Sequence, residues 1–307
     1  MPDVADTPDR IIEWLDEAEA DPTRVGGKAA SLIRLASLGF RIPPGFCLTT
    51  DAFVAQVAGL PEGDFLRVDP AALLDDPTRI ALVAAMLRGP ISRPVADALA
   101  GPLHRLAREA PSGTRGRPSL LAVRSSAVAE DGSSASFAGL HDTELGLTGD
   151  EVPSAILRCW ASLWSDRAVG YRARRGLALD GGAMAVVVQA LVPADASAVV
   201  FTRHPVTGRS DVLLINAVRG LGEAMVSGTV TPHSIVVDKA TGSVIEFVAG
   251  EPAAGGPLDA PVIAELVDRC LQVERAFGAP VDIEAAHASD GWYLLQARPI
   301  TTTEERT

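Results

Sequence analysis

Val281-Asp-Ile-Glu-Ala-Ala-His-Ala-Ser-Asp-Gly-Trp-Tyr-Leu-Leu-Gln-Ala-Arg-Pro299 reads as two strands, 281–285 and 291–299, turned back on each other at Asp290-Gly291. Successive side chains of a strand point to opposite faces, so Asp282 and Glu284 share one side and Ile283 takes the other. On the second strand Gln296 and Arg298 share a face. A carboxylate pair, an amide oxygen and a guanidinium on one sheet face have the chemistry to hold magnesium and neutralise phosphate. The same alternation also describes an ordinary solvent-facing surface, and the hairpin alone supports both readings.

Strand signals continue upstream at 184–192, 198–202, 212–217, 234–237 and 243–247, so the second half of the chain is strand-rich and a second lobe starts near Val192. Ala190-Leu-Val-Pro193 is either a hinge whose backbone can pair with an adenine edge or a plain strand connection. The segment 216–234 is glycine-rich and carries Arg219 and Glu223.

The first half is more helical. A helix is expected over 27–38, apolar at Leu32, Leu35 and Leu38 and stopped by Gly39. Its N-terminus carries Lys28 directly after Gly26-Gly27, in a chain whose only other lysine is Lys239. A compact ammonium there suits a phosphate, and it equally suits a surface helix start. Arg41-Ile-Pro-Pro-Gly45 forms a rigid turn into a strand at 46–48, and Thr50 or Asp51 caps the next helix. The stretch 61–118 has helical segments and no assignable chemistry. A buried strand at 120–123 delivers Arg124-Ser-Ser into a loop, 127–139, of alternating small residues. Such a backbone can approach anionic oxygens as a phosphate lid, or be an ordinary loop. A single long helix over 152–175 is expected to bury Ile156, Leu157, Trp160, Leu163 and Trp164, with the tryptophans as core.

Composition narrows the function. A chain of 307 residues, 47% hydrophobic and 21% charged, builds a globular core, and its net charge of −12 argues against a nucleic-acid partner. No apolar run is long enough for a membrane helix and the start carries no signal-peptide pattern, so a cytoplasmic location is expected. Cys47, Cys159 and Cys270 form no CxxC pair and read as reduced structural thiols. No GxxxxGK[ST] occurs, and Gly220-Leu-Gly222-Glu is no dinucleotide fingerprint.

Four segments, GGKAASLIRLASLGFRIPPGFCLTTDAF, LAVRSSAVAEDGSSASFAGLHDTELGL, NAVRGLGEAMVSGTVTP and VDIEAAHASDGWYLLQARPIT, together resemble the ATP-binding domain of phosphoenolpyruvate synthase, pyruvate phosphate dikinase and rifampin phosphotransferase. The likeness runs from about residue 24 to residue 301. It implies an α+β, ATP-grasp fold, two lobes with nucleotide in the cleft between them: 1–190 with the phosphate lid, and 191–307 with the metal-binding hairpin. It implies that Lys28 and Arg124 hold the phosphates of ATP, that the loop from Gly132 through Gly139 to Thr143 covers them, and that Gln189 to Leu191 border adenine. Glu284 and Gln296 are implied as Mg2+ ligands, with Glu223, Asp282 and Arg298 alongside. Lys28, Arg124 and Arg298 are the expected catalytic cations. Ala285 and His204 stand where relatives often have tryptophan and aspartate, changes expected to alter adenine or lid packing.

In that family both outer phosphates leave ATP for a histidine on a separate domain, giving AMP. No segment here resembles the family's Gly-Gly-x-Thr-Ser-His loop. The expectation is therefore the ATP-binding subunit of a split dikinase-type phosphotransferase, working with a separate phosphohistidine-domain protein. The alternatives are a self-sufficient kinase or ligase acting on a small molecule, with ADP as product, and a non-catalytic ATP-binding module.

Overall fold

Two antiparallel sheets, each apolar on one face, organise the chain. The computed structural model describes residues 11–58, 60, 77–109, 120–128, 143–175, 183–256 and 258–300. These fall into two units: the residues within Met1–Ile33, Pro44–Ala110 and Gly116–Leu191, and those within Arg34–Pro43 and Val192–Thr307.

The sheet of the first unit contains β1 (Ile12–Trp14), β2 (Gly45–Leu48), β3 (Leu121–Ala127), β4 (Thr143–Leu147) and β5 (Met184–Ala190), in the order β1-β2-β5-β3-β4. Register aligns Trp14, Phe46, Val188 and Val123 across one face. That face packs with α2 (Thr50–Val57), α3 (Pro77–Arg88), α4 (Arg93–Arg108) and α5 (Val152–Ser162) into a core containing Phe53, Leu82, Leu99 and Trp160. The Trp160 indole satisfies its buried N–H by donating to the Met184 carbonyl at 2.8 Å.

The expected single helix over 152–175 is two: α5, then α6 (Asp166–Arg175). Between them Leu163, Trp164 and Ser165 donate to carbonyls only three residues back, and the Ser165 hydroxyl accepts the Ala168 N–H at 3.2 Å. A tightened last turn followed by a serine cap ends one helix and starts another. A second difference is in β3, which runs through Arg124, Ser125 and Ser126 instead of releasing them into a loop.

In the first helix, α1 (Pro22–Ser37), Asp21 accepts the Thr23 N–H at 2.9 Å. The helix breaks at Gly26, whose φ of 73° and ψ of 172° are not helical, so the regular turns start after it, near the expected residue 27. Leu32 and Leu35 are buried, but Leu38 is exposed.

The second sheet contains β6 (Ala196–Phe201), β7 (Val212–Arg219), β8 (His233–Asp238), β9 (Val244–Val248), β10 (Val281–Ala288) and β11 (Gly291–Pro299), ordered β11-β10-β6-β7-β8-β9. The short helix α7 (Glu223–Val226) follows β7, and α8 (Ala260–Phe277) precedes β10. One cross-strand row reads Ala297, Ile283, Val200, Ile215, Ile235, and packs with Leu266, Val267, Cys270 and Val273 of α8. The opposite face carries Asp282, Glu284, Gln296 and Arg298 beside a small apolar patch that includes Ala286 and Tyr293. β9 forms an edge, and all five of its residues are exposed.

Candidate functional site

Each sheet turns a polar face away from its core, and each polar face collects residues singled out by sequence. In the first unit the face opposite the Phe46 row carries Glu13, Cys47, Val187, Arg124 and Thr143 in register. Gln189 lies one pleat along, between Ala122 and Gly45. Arg124 and Gln189 are both buried. Gly45 explains how tightly Gln189 is held, since a β-carbon there would lie 2.6 Å from Gln189 Cγ.

The start of α1 docks on this same face. The Ser126 hydroxyl donates to the Val25 carbonyl at 2.8 Å and accepts the Ala29 N–H at 3.1 Å. The approach is close enough that a β-carbon at Gly26 would stand 2.1 Å from the Ser126 carbonyl oxygen. Lys28, inside the clamped segment, is thereby tied to the strand of Arg124. Burial raises the carboxyl pKa of Glu13 against the opposing charge of Arg24, with which it pairs at 2.6 Å. Leu191 follows β5 and donates its N–H to the Leu120 carbonyl at 2.9 Å. Gly132 and Gly139 lie outside the described residues.

In the second unit the hairpin is built with one irregularity that decides its chemistry. Ala288 pairs with Gly291, so Ser289 and Asp290 form the turn and Gly291, at φ 110°, opens the return strand instead of sitting in the turn. Ala285 faces Leu294, yet Glu284 faces Gln296, because Leu295 is an extra residue bulged out of the ladder. Without that bulge Trp292 and Leu294, which are core residues, would share a face with Gln296 and Arg298. With it, Glu284–Gln296 and Asp282–Arg298 are adjacent cross-strand pairs on the polar face.

Arg298 donates from Nε and Nη2 to a single oxygen of Asp282, at 3.0 and 2.8 Å. Burial nonetheless pushes the Asp282 carboxyl above the ordinary aspartate range; Arg298 opposes the shift and Glu284 adds slightly to it. Glu284 and Gln296 offer hard oxygen donors side by side, which fits magnesium completed by phosphate oxygens. Among the described residues no three His, Cys, Asp or Glu side chains converge on a metal position.

The loop bearing Glu223 also lies on this face. Ser197 donates to the Gly220 carbonyl at 2.8 Å, and a β-carbon at Gly222 would meet Ser197 Cβ at 3.0 Å. Ser197 stands beside Ala286, one pleat from Glu284. Sequence reading missed Asn216 and Ser234, which continue the row Gln296, Glu284, Val199 across β7 and β8. Their signal was available: Asn216 interrupts the apolar run Val212-Leu-Leu-Ile-Asn-Ala-Val218 at a position alternate to the buried Ile215 and Ala217.

Of the two departures noted in sequence, Ala285 lies on the apolar face against α8, so its effect falls on the core and not on a nucleotide. His204 accepts the N–H groups of Val206 and Thr207 at 3.2 and 3.3 Å through Nδ1, a capping task that an aspartate oxygen also performs. The three cysteines are buried and form no disulfide, and burial raises the thiol pKa of Cys47 and Cys270, which suits inert packing. No helix among the described residues is long and apolar enough to cross a membrane.

Residues 22–307 match the family model described as pyruvate phosphate dikinase, AMP/ATP-binding domain. The chain is 40% identical to a rifampicin phosphotransferase of Streptomyces sviceus, over 95% of the chain and 36% of that protein. It is 36% identical to the prodigiosin synthesizing transferase PigC of Serratia marcescens, over 96% of the chain and 33% of that protein. With the phosphoenolpyruvate synthase of Pyrococcus furiosus it shares 32% identity, over 96% of the chain and 44% of the relative. The chain thus spans less than half the length of these relatives, and their shared segment is the one that bears the two polar faces. It belongs to the pyruvate phosphate dikinase AMP/ATP-binding domain family.

Proposed function

We propose that the chain binds ATP with magnesium and prepares its outer phosphates for transfer to a histidine, carried by another protein or by another part of a longer chain. The observation that carries this reading is the hairpin, where the bulge at Leu295 sets an oxygen-donor pair, Glu284 and Gln296, beside an aspartate-braced guanidinium, Arg298. A magnesium–nucleotide complex complements both, the cation meeting the oxygen pair and the phosphates meeting the guanidinium. Lys28, Arg124 and Arg298 act as the cations that neutralise the phosphates, Gln189 and Leu191 border adenine, and the loop through Gly132, Gly139 and Thr143 covers the phosphate chain.

Magnesium, when bound, supplies charge neutralisation and holds the phosphate oxygens in fixed geometry. The protein's own part is positioning. Asp282 fixes the plane of Arg298, so that its donors meet charge developing on the transferred group without reorganising. In the transfer step a histidine nitrogen bonds to the β-phosphorus. The bond from that phosphorus to the oxygen bridging the α-phosphate breaks, and AMP leaves with the oxygen.

Phosphorus NMR of nucleotide products tests the reading. AMP formed only with a histidine-bearing partner supports it. ADP together with a phosphorylated small molecule overturns it in favour of a direct kinase, and rapid partner-free formation of AMP overturns it outright. The Arg298→Ala variant should lose transfer by roughly two to three orders of magnitude, the scale of removing one donor to developing charge, while keeping its circular dichroism. Unchanged turnover would remove Arg298 from the site.

A further inference from the structure

The polar face of the second sheet does not end at the hairpin. The row Gln296, Glu284, Val199 continues to Asn216 and Ser234, directly paired neighbours on β7 and β8. Both are partly exposed, in strands whose adjoining residues Ile215, Ala217 and Ile235 are buried against the other face. Among the described residues neither the Asn216 carboxamide nor the Ser234 hydroxyl makes a hydrogen bond. A carboxamide and a hydroxyl set side by side in mid-sheet, with their capacity unspent, are suited to a ligand group that both donates and accepts.

Charge along the strands gives the direction in which such a ligand lies. One pleat from this row, towards Phe201 and Leu214, stands the Asp282–Arg298 pair. One pleat the other way, at Ser197 and Val218, the Gly220–Gly222 loop is fastened down and leads into Glu223. A phosphate chain is favoured at the guanidinium end and opposed at the carboxylate end. The neutral part of the same ligand is therefore left for the end bearing Glu223. Two strand spacings, roughly 10 Å, separate Asn216 from Glu284, which places the amide beyond first contact with a metal held at the hairpin.

We propose that Asn216 and Ser234 recognise the ribose hydroxyls of the nucleotide, whose sugar lies towards Glu223 and whose phosphates point to Arg298. This rests on the ATP-binding reading given above and deepens it to a stated orientation and a stated discrimination. A side chain that hydrogen-bonds a sugar hydroxyl distinguishes nucleotides lacking it, by about threefold to tenfold for a bond between neutral groups.

The test is calorimetric titration of the full chain with the magnesium complexes of ATP, 2′-deoxy-ATP and 3′-deoxy-ATP, and with inorganic tripolyphosphate as a sugar-free probe. The wild type should bind ATP about threefold to tenfold more tightly than at least one deoxy analogue. In Asn216→Ala that ratio should fall to near one while tripolyphosphate affinity stays unchanged. Ser234→Ala, a smaller change, serves as a second variant should Asn216→Ala lower the thermal midpoint. Equal binding of ATP and both deoxy analogues by the wild type overturns the inference and leaves the ATP-binding reading standing. The inference also falls, with that reading intact, if the ratio survives in both variants or if tripolyphosphate weakens in parallel. Absence of any ATP binding by the wild type overturns the ATP-binding reading itself, and this inference with it.

Discussion

Gly26 and Gly39 both hold positive φ, at 73° and 80°, but they answer to different constraints. At Gly39 nothing lies within 4 Å of the point a β-carbon would occupy, so Gly39→Ala meets backbone strain alone, about 1 kcal/mol. At Gly26 the β-carbon would collide with the Ser126 carbonyl, adding an overpacking cost of a further 1–3 kcal/mol or so. Urea unfolding should therefore rank Gly26→Ala well below Gly39→Ala, and comparable losses would contradict the clamp between α1 and β3. Asp282 supplies a second residue-scale expectation. Its carboxyl is more basic in the fold than in the unfolded chain, so its favourable contribution is complete below the unfolded value and is lost as pH rises through the folded one. Asp282→Asn should match the wild type in acid and overtake it in stability towards neutrality. A stability difference that stayed flat over that range would contradict the burial of the charge. Both residues were visible in sequence, one through Gly26-Gly27-Lys28 and the other through strand parity. The energetics were not, since a collision at 2.1 Å and a desolvated carboxylate arise only from tertiary approach.

The hairpin shows what an element conceals. Parity within each strand correctly grouped Asp282 with Glu284 and Gln296 with Arg298, because each pair lies on one side of the bulge. The bulge itself could have been read from Trp292, Leu294 and Ala297, buried core positions whose spacing breaks a period of two. Likewise the two helices of 152–175 were written in Ser165-Asp166, a start signal inside a run whose apolar period otherwise continues. The helix α8 makes the complementary case. Its buried stripe supports the sheet from behind the polar row, so Leu266→Ala should cost about 2–5 kcal/mol. Asp268→Ala, on its outer side, should stay within about 0.5 kcal/mol. Chemical denaturation of the two variants checks the contrast, and equal effects would mean that α8 is not the support of this face.

At the scale of the molecule, sequence carried the family but not the grouping of 34–43 with the second sheet. Within that grouping the Arg41 carbonyl accepts the Leu294 N–H at 2.8 Å and its guanidinium lies 4.1 Å over the Tyr293 ring. The same surroundings, burial first and the Asp290 hydrogen bond next, push the Tyr293 hydroxyl up to about 12. Partners some 250 positions apart leave no periodicity to read. Strand β9 carries the last consequence. Val244, Ile245, Phe247 and Val248 are each about half exposed, on a strand that forms an edge of its sheet. An open row of backbone donors and acceptors flanked by apolar side chains is a template for adding further strands, and net charge of −12 opposes this only while it is unscreened. Concentrated preparations should therefore scatter more light as salt is raised, and Ile245→Lys should suppress the rise. If the variant scattered as strongly as the wild type, self-association would have to start elsewhere. The edge that ends the sheet thus sets the colloidal limit at which the protein can be stored and handled.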